Sequence, residues 1–107
     1  MSRLALTTGI TVEAEVAGTG PRLLFISGTG GDLRARPTVF ETPLADRFEI
    51  AAYDQRGLGR SDIPDGPYSM AGYGDDAAAV LDALGWEDAL VMGVSFGGMV
   101  AQELVLR

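Results

Sequence analysis

The stretch Ala89-Leu90-Val91-Met92-Gly93-Val94-Ser95-Phe96-Gly97-Gly98 decides how the rest of the chain reads. Its first six residues are apolar without alternation, the pattern of a strand buried on both faces of a parallel sheet. After Ser95, the residues Phe96, Met99, Val100, Leu104 and Val105 recur at helical spacing, and the expected helix runs on to Arg107. A strand therefore meets a helix through one sharp turn. Packing that helix back on its strand needs small residues on either side of the turn, and Gly93, Gly97 and Gly98 supply them. The pattern G-x-S-x-G alone is a modest signal; this setting raises it. Ser95 projects from the strand end. The backbone N–H groups that open the helix point toward it, an arrangement that can stabilise a developing oxyanion.

Two further apolar runs, Leu23-Leu24-Phe25-Ile26 and Ile50-Ala51-Ala52-Tyr53, read as strands of the same buried kind. The first leads into the Gly-rich loop Ser27-Gly28-Thr29-Gly30-Gly31. Free N–H groups there could complete an oxyanion hole; taken alone, the loop also fits a simple turn or part of a nucleotide site. Helical segments lie between the strands. A short one is expected from about Thr38 to Asp46, its regular part starting late because Pro43 suits a first helical position. A long one starts with Ser69 as N-cap and ends at Gly85, with Met70, Tyr73, Ala77, Val80, Leu81 and Leu84 on one face. Asp75 and Asp76 are expected on its solvated side.

The opening seventeen residues read differently. Leu4 and Leu6, then Val12, Ala14 and Val16, alternate with polar residues that include Glu13 and Glu15, about a turn at Thr8-Gly9. This is a half-solvated antiparallel hairpin. Gly18-Thr19-Gly20-Pro21 is a turn. The order is β-β-β-α-β-α-β-α: an antiparallel opening leading into a parallel α/β sheet.

Composition narrows the chemistry. The chain has 107 residues, no His, no Cys, and eight basic residues that are all Arg. No imidazole base, thiol nucleophile, zinc site or disulfide is possible within it. Absence of Lys removes Schiff-base chemistry and the phosphate loop that needs Gly-Lys-Ser/Thr. Only carboxylates remain as metal ligands, and no calcium-loop spacing occurs, so no metal or cofactor is expected. A net charge of −7 offers no basic stripe to a nucleic acid. No apolar run approaches the roughly 20 residues of a membrane span. Residues 1–8 turn polar too early for a signal peptide. The expected location is cytoplasmic, without nucleic-acid or membrane partners.

Three segments, in order and spacing, carry a resemblance to the α/β-hydrolase family. Ser27-Gly28-Thr29-Gly30-Gly31-Asp32 resembles its oxyanion loop. Asp54-Gln55-Arg56-Gly57-Leu58-Gly59-Arg60-Ser61-Asp62 is very similar to the loop after its fourth strand. Gly93 to Gly98 looks like its nucleophile elbow. The resemblance implies an α/β-hydrolase-type, mostly parallel sheet with an antiparallel N-terminal hairpin. It makes residues 1–107 the N-terminal part of a single domain. It implies Ser95 as the nucleophile and the backbone N–H groups of Phe96 and Thr29 as oxyanion donors. Gly57 and Gly59 would shape a structural loop, fixed by Asp54 and Arg56 through hydrogen bonds and charge pairing. The family's oxyanion loop often begins His-Gly; here Ser27-Gly28 stands instead, a change that bears on loop geometry. Family members that displace halide or open epoxides use Asp at the elbow. Ser95 implies acyl transfer on a small-molecule ester, lactone, thioester or related substrate.

Serine is weakly nucleophilic until a base takes its proton. In the family an acid and then a His follow the elbow. Both are expected beyond residue 107, on a complementing C-terminal segment, and the chain alone is expected to be inactive. The uncapped last helix and the unpaired strand at Ala89–Val94 agree with a domain cut short, and they predict an aggregation-prone piece. Two other readings stand beside this one. A non-catalytic binding module can use the same scaffold. A dinucleotide-binding domain would use Gly28-Thr29-Gly30 and Asp54, but Leu33 occupies its third Gly position and no helix starts directly at the loop.

Overall fold

The computed structural model describes residues 2–28 and 30–107. Five strands and two helices follow in order: β1 (Ser2–Ala5), β2 (Thr11–Ala17), β3 (Arg22–Ile26), β4 (Glu49–Tyr53), α1 (Met70–Leu84), β5 (Leu90–Gly93) and α2 (Phe96–Leu104). The strands form one sheet in the order β1-β2-β4-β3-β5. β2 pairs antiparallel with β1 and with β4. β3 pairs parallel with β4 and with β5. Among the described residues the sheet is therefore mixed, an antiparallel hairpin joined to a parallel half. The hairpin turn closes as expected, with Gly9 at φ 96° and its N–H donating to the Leu6 carbonyl at 3.0 Å.

Alternation along the strands divides the apolar residues between two faces. Val12, Ala14, Leu24, Ile26, Ala51 and Tyr53 form the main core with Ala77 and Val80 of α1 and Val100 and Leu104 of α2. Leu23, Ile50 and Ala52 are buried on the opposite face. β5 lies at the sheet edge, where Leu90, Met92 and Val94 are exposed.

α1 keeps its expected limits. Ser69 Oγ accepts from the Gly72 N–H at 3.0 Å, and Gly85 closes the helix in the left-handed region at φ 71°. Three expectations need correction. The segment 38–46 is not one helix but two 3₁₀ turns, Val39–Glu41 and Pro43–Asp46. They break at Thr42, which is extended at φ −96° and ψ 161°, because a proline ring disfavours helical backbone in the residue before it. α2 ends at Leu104 and not at Arg107. Arg107 instead reaches α1, donating to Asp75 Oδ1 and to the Ala71 carbonyl, each at 2.8 Å. Asp76 and Glu13, both expected on solvated faces, are buried. Segment 54–62 crosses β2 and covers Glu13, whose N–H donates to Ser61 Oγ at 2.9 Å and whose carbonyl accepts the Asp54 N–H at 2.9 Å.

Candidate active site

Ser95 sits between β5 and α2 at φ 55° and ψ −117°. It is the one non-glycine with positive φ among the described residues. Such backbone is costly and persists only where the surroundings over-determine it. Here the constraint is close packing. A Cβ added at Gly93 would stand 2.2 Å from the Gly97 carbonyl oxygen, and one at Gly97 would stand 2.1 Å from that of Ile26. Only glycine at both positions lets α2 fold back across β5 and lie against the end of β3. Ser95 is exposed and its side chain makes no capping hydrogen bond to α2.

Phe96 opens α2, and the first N–H groups of a helix have no partner inside it. Its ring stacks edge-on against Tyr73 of α1 at 5.1 Å between centroids, and Tyr73 meets Tyr68 the same way at 6.1 Å. This aromatic row ties the elbow to α1. Thr29, expected as the second oxyanion donor, lies outside the described residues. Gly28, where the loop begins, lies beside Ser95: a Cβ built on it would lie 3.4 Å from Ser95 Cβ and 3.1 Å from the Val94 carbonyl oxygen. The loop turns back on itself, with the Gly31 N–H donating to the Gly28 carbonyl at 3.1 Å.

The loop after β4 joins these parts. Asp54 accepts from the Leu33 N–H at 2.7 Å and from the Arg60 N–H at 3.1 Å. It thereby stitches the segment after the Gly-rich loop to its own loop. Burial pushes the Asp54 carboxyl above the usual carboxylate range, and the two amides oppose that rise. Gly59 at φ 53° has no room for a side chain, since an added Cβ would fall 2.1 Å from Asp54 Oδ2. Gly57 adopts φ 79° against the Tyr68 ring. Arg56 donates to both oxygens of the buried Asp76, from Nε at 2.6 Å and Nη2 at 2.9 Å. That pairing raises the affinity of the guanidinium for its proton. Thr8 Oγ1 adds a third hydrogen bond to Asp76 at 2.8 Å.

Two residues here carry no local signal of their role. Helical spacing assigns Asp76 to solvent, yet it is buried against Arg56. Gln55 is buried, and its Nε2 donates to the Ser27 carbonyl at 3.1 Å. The Asp54 carboxylate is engaged by backbone amides, and 3₁₀ turns, not a helix, follow the Gly-rich loop. Neither feature suits a dinucleotide. A cavity of about 280 Å³ opens beside the loop, lined by Ser27, Gly28, Asp32, Leu33, Val39 and Tyr53 among others; Ser95 does not line it. Asp32 at its rim forms a salt bridge with Arg34 at 2.8 Å, and hydrogen bonds from Arg34 hold its carboxyl down at about 2. Among the described residues no group of three or more acidic side chains is placed to hold a metal ion. No helix among them is long and apolar enough to cross a membrane.

A strained serine between strand and helix, a Gly-rich loop against it and a mixed sheet beneath define an α/β hydrolase architecture. Residues 21–107 match the family described as alpha/beta hydrolase fold, and the chain belongs to it. A protein of Azorhizobium caulinodans that bears the name of a carbamate hydrolase, RutD, is 41% identical over 93 residues. That match covers 86% of this chain and 34% of the relative. The crystal structure of a hydrolase from Pseudomonas aeruginosa superposes with a TM-score of 0.87 at 33% identity, covering 99% of this chain and 40% of the other. An enol-lactonase from Burkholderia xenovorans gives 0.86 at 27% identity, covering 99% and 42%. The chain spans about a third of the length of the curated relatives it matches.

Proposed function

We propose that these residues form the nucleophile-bearing part of a serine hydrolase that acts on a small ester, lactone or related acyl substrate. The observation that carries this reading is the geometry of Ser95: exposed, at φ 55°, making no side-chain cap to α2, with Gly28 so near that a Cβ added there would lie 3.4 Å from Ser95 Cβ. Ser95 Oγ attacks the substrate carbonyl carbon. The oxygen that becomes anionic is met by the backbone N–H groups of Phe96 and Thr29. The Ser95 proton passes to a His, oriented by an acid, and then to the leaving alcohol as the carbonyl–oxygen bond breaks. Water, deprotonated by the same His, releases the acyl group. The sequence holds no His, so the base comes from outside these residues; the family order of serine, acid and His puts the acid there too, and on this reading the 107-residue chain alone does not turn over. A carbamate and an enol-lactone, named for two of the similar proteins, share a carbonyl carbon bonded to a heteroatom. That shared chemistry supports the acyl substrate class.

The test is labelling and turnover in a protein that joins these residues to an acid- and His-bearing segment. A fluorophosphonate should label Ser95, a p-nitrophenyl ester should be hydrolysed, and Ser95→Ala should abolish both. Hydrolysis that survives Ser95→Ala overturns the assignment.

A further inference from the structure

We infer that Gln55 is a positioning residue that holds the oxyanion loop against Ser95; the inference rests on the reading of Ser95 as nucleophile. Gln55 is the second residue after β4 and is 1% exposed. Its Nε2 donates to the Ser27 carbonyl oxygen at 3.1 Å. The same oxygen is hemmed from the opposite element, because a Cβ at Gly97 would lie 2.5 Å from it. The Ser27 carbonyl is therefore clamped between a side-chain amide from the β4 loop and the second residue of α2.

The clamp acts on direction. Ser27 C=O and Gly28 N–H belong to one planar peptide unit, so fixing the oxygen fixes the plane from which the loop departs. The next peptide unit carries the Thr29 N–H, the proposed second oxyanion donor. Gly28 in turn rests against Ser95. An oxyanion donor is effective only if it already points at the place where charge develops. Gln55 supplies that preorganisation from a residue that touches neither substrate nor nucleophile.

A purely packing role does not account for a glutamine here. Among the described residues Gln55 Oε1 is buried without a hydrogen-bond partner, and so is Ser27 Oγ. An apolar side chain of similar size would fill the space without leaving a buried acceptor unpaired. What glutamine adds is the N–H aimed at the Ser27 oxygen.

The experiment uses the catalytically competent protein that contains these residues. Gln55→Leu should lower kcat roughly 10- to 100-fold, less than or equal to the loss of one oxyanion donor, with little change in KM. It should also speed hydrogen exchange at the Gly28, Gly30 and Gly31 amides. Gln55→Glu adds a readout that packing alone would not move. As a neutral carboxyl it still donates to the Ser27 oxygen; as a carboxylate it repels it. The ratio of the Gln55→Glu kcat to that of wild type should rise as pH falls through the titration of this carboxyl, which burial lifts above its usual value. A flat ratio, together with a Gln55→Leu kcat within twofold of wild type, overturns the inference. If Gln55→Leu does not fold, the Gln55→Glu ratio decides alone. Turnover that survives Ser95→Ala would instead overturn the underlying reading. Amide exchange would then test the clamp by itself, and unchanged exchange in Gln55→Leu would overturn it.

Discussion

Arg56 and Asp76 meet as a two-point ion pair, Nε to Oδ2 at 2.6 Å and Nη2 to Oδ1 at 2.9 Å, with the Asp76 side chain 2% exposed. With Thr8 as a third partner, one carboxylate joins the hairpin turn, the β4 loop and helix α1. Truncating one member of such a pair leaves the other buried without compensation. Asp76→Ala should therefore destabilise the protein by about 3 kcal/mol, whereas the double change Arg56→Met with Asp76→Leu should recover much of the loss. Urea unfolding of the two variants checks this, and equal losses in the single and double variants would count against a dominant pair.

Relief of strain at the elbow should be measurable. Positive φ at a non-glycine residue costs about 1–3 kcal/mol. Ser95→Gly is expected to raise stability by about 1 kcal/mol while removing all fluorophosphonate labelling. A variant that loses both stability and labelling would place the strain elsewhere.

Neighbouring glycines should differ sharply. A Cβ at Gly97 would strike the backbone oxygens of Ile26 and Ser27 at 2.1 and 2.5 Å, whereas one at Gly98 meets nothing nearer than 3.6 Å. Gly97→Ala should cost about 3 kcal/mol through overpacking. Gly98→Ala should be neutral or stabilising by up to about 1 kcal/mol, since alanine is the better helix former. Thermal unfolding of the two variants decides between this contrast and a uniform response.

The Asp32–Arg34 pair gives a pH prediction. Hydrogen bonds from Arg34 lower the Asp32 carboxyl from 3.8 to about 2. A carboxyl with a depressed folded-state value contributes stability that is present above 3.8 and is lost as pH falls toward 2. Titration of the Asp32 side chain by NMR should show a midpoint near 2 in the wild type, returning toward 3.8 in Arg34→Ala. An unchanged midpoint in the variant would remove Arg34 as the cause.

The edge strand bears on solubility. Leu90 and Met92 are 55% and 40% exposed on β5, which among the described residues is paired on one side only. Such an edge recruits other chains. Sedimentation of the isolated 107-residue chain should depend on concentration, and Leu90→Lys should weaken that dependence. Monomeric, concentration-independent behaviour of the unmodified chain would argue against the edge as the cause.

Local patterns carried much of the architecture. Ser69 and Gly85 delimit α1 in the sequence as in the fold, because capping and left-handed closure involve neighbouring residues. The elbow was legible for the same reason: Gly93, Ser95 and Gly97 are close in the chain, and a sharp strand-to-helix turn demands small residues there. The break at Thr42 is also local: Pro43 suits a first helical position and at the same time holds the residue before it extended. Periodicity failed where burial depends on partners distant in sequence. Asp76 occupies a position that helical spacing assigns to solvent, yet Arg56 lies 20 residues away and Thr8 lies 68. Glu13 is covered by a loop some forty to fifty residues downstream, and Gln55 reaches Ser27 across 28 residues. An apolar pattern records which face a segment buries. Whether a charged or polar side chain on that segment is solvated or enclosed depends on which donors the fold brings to it, and only the tertiary structure decides that.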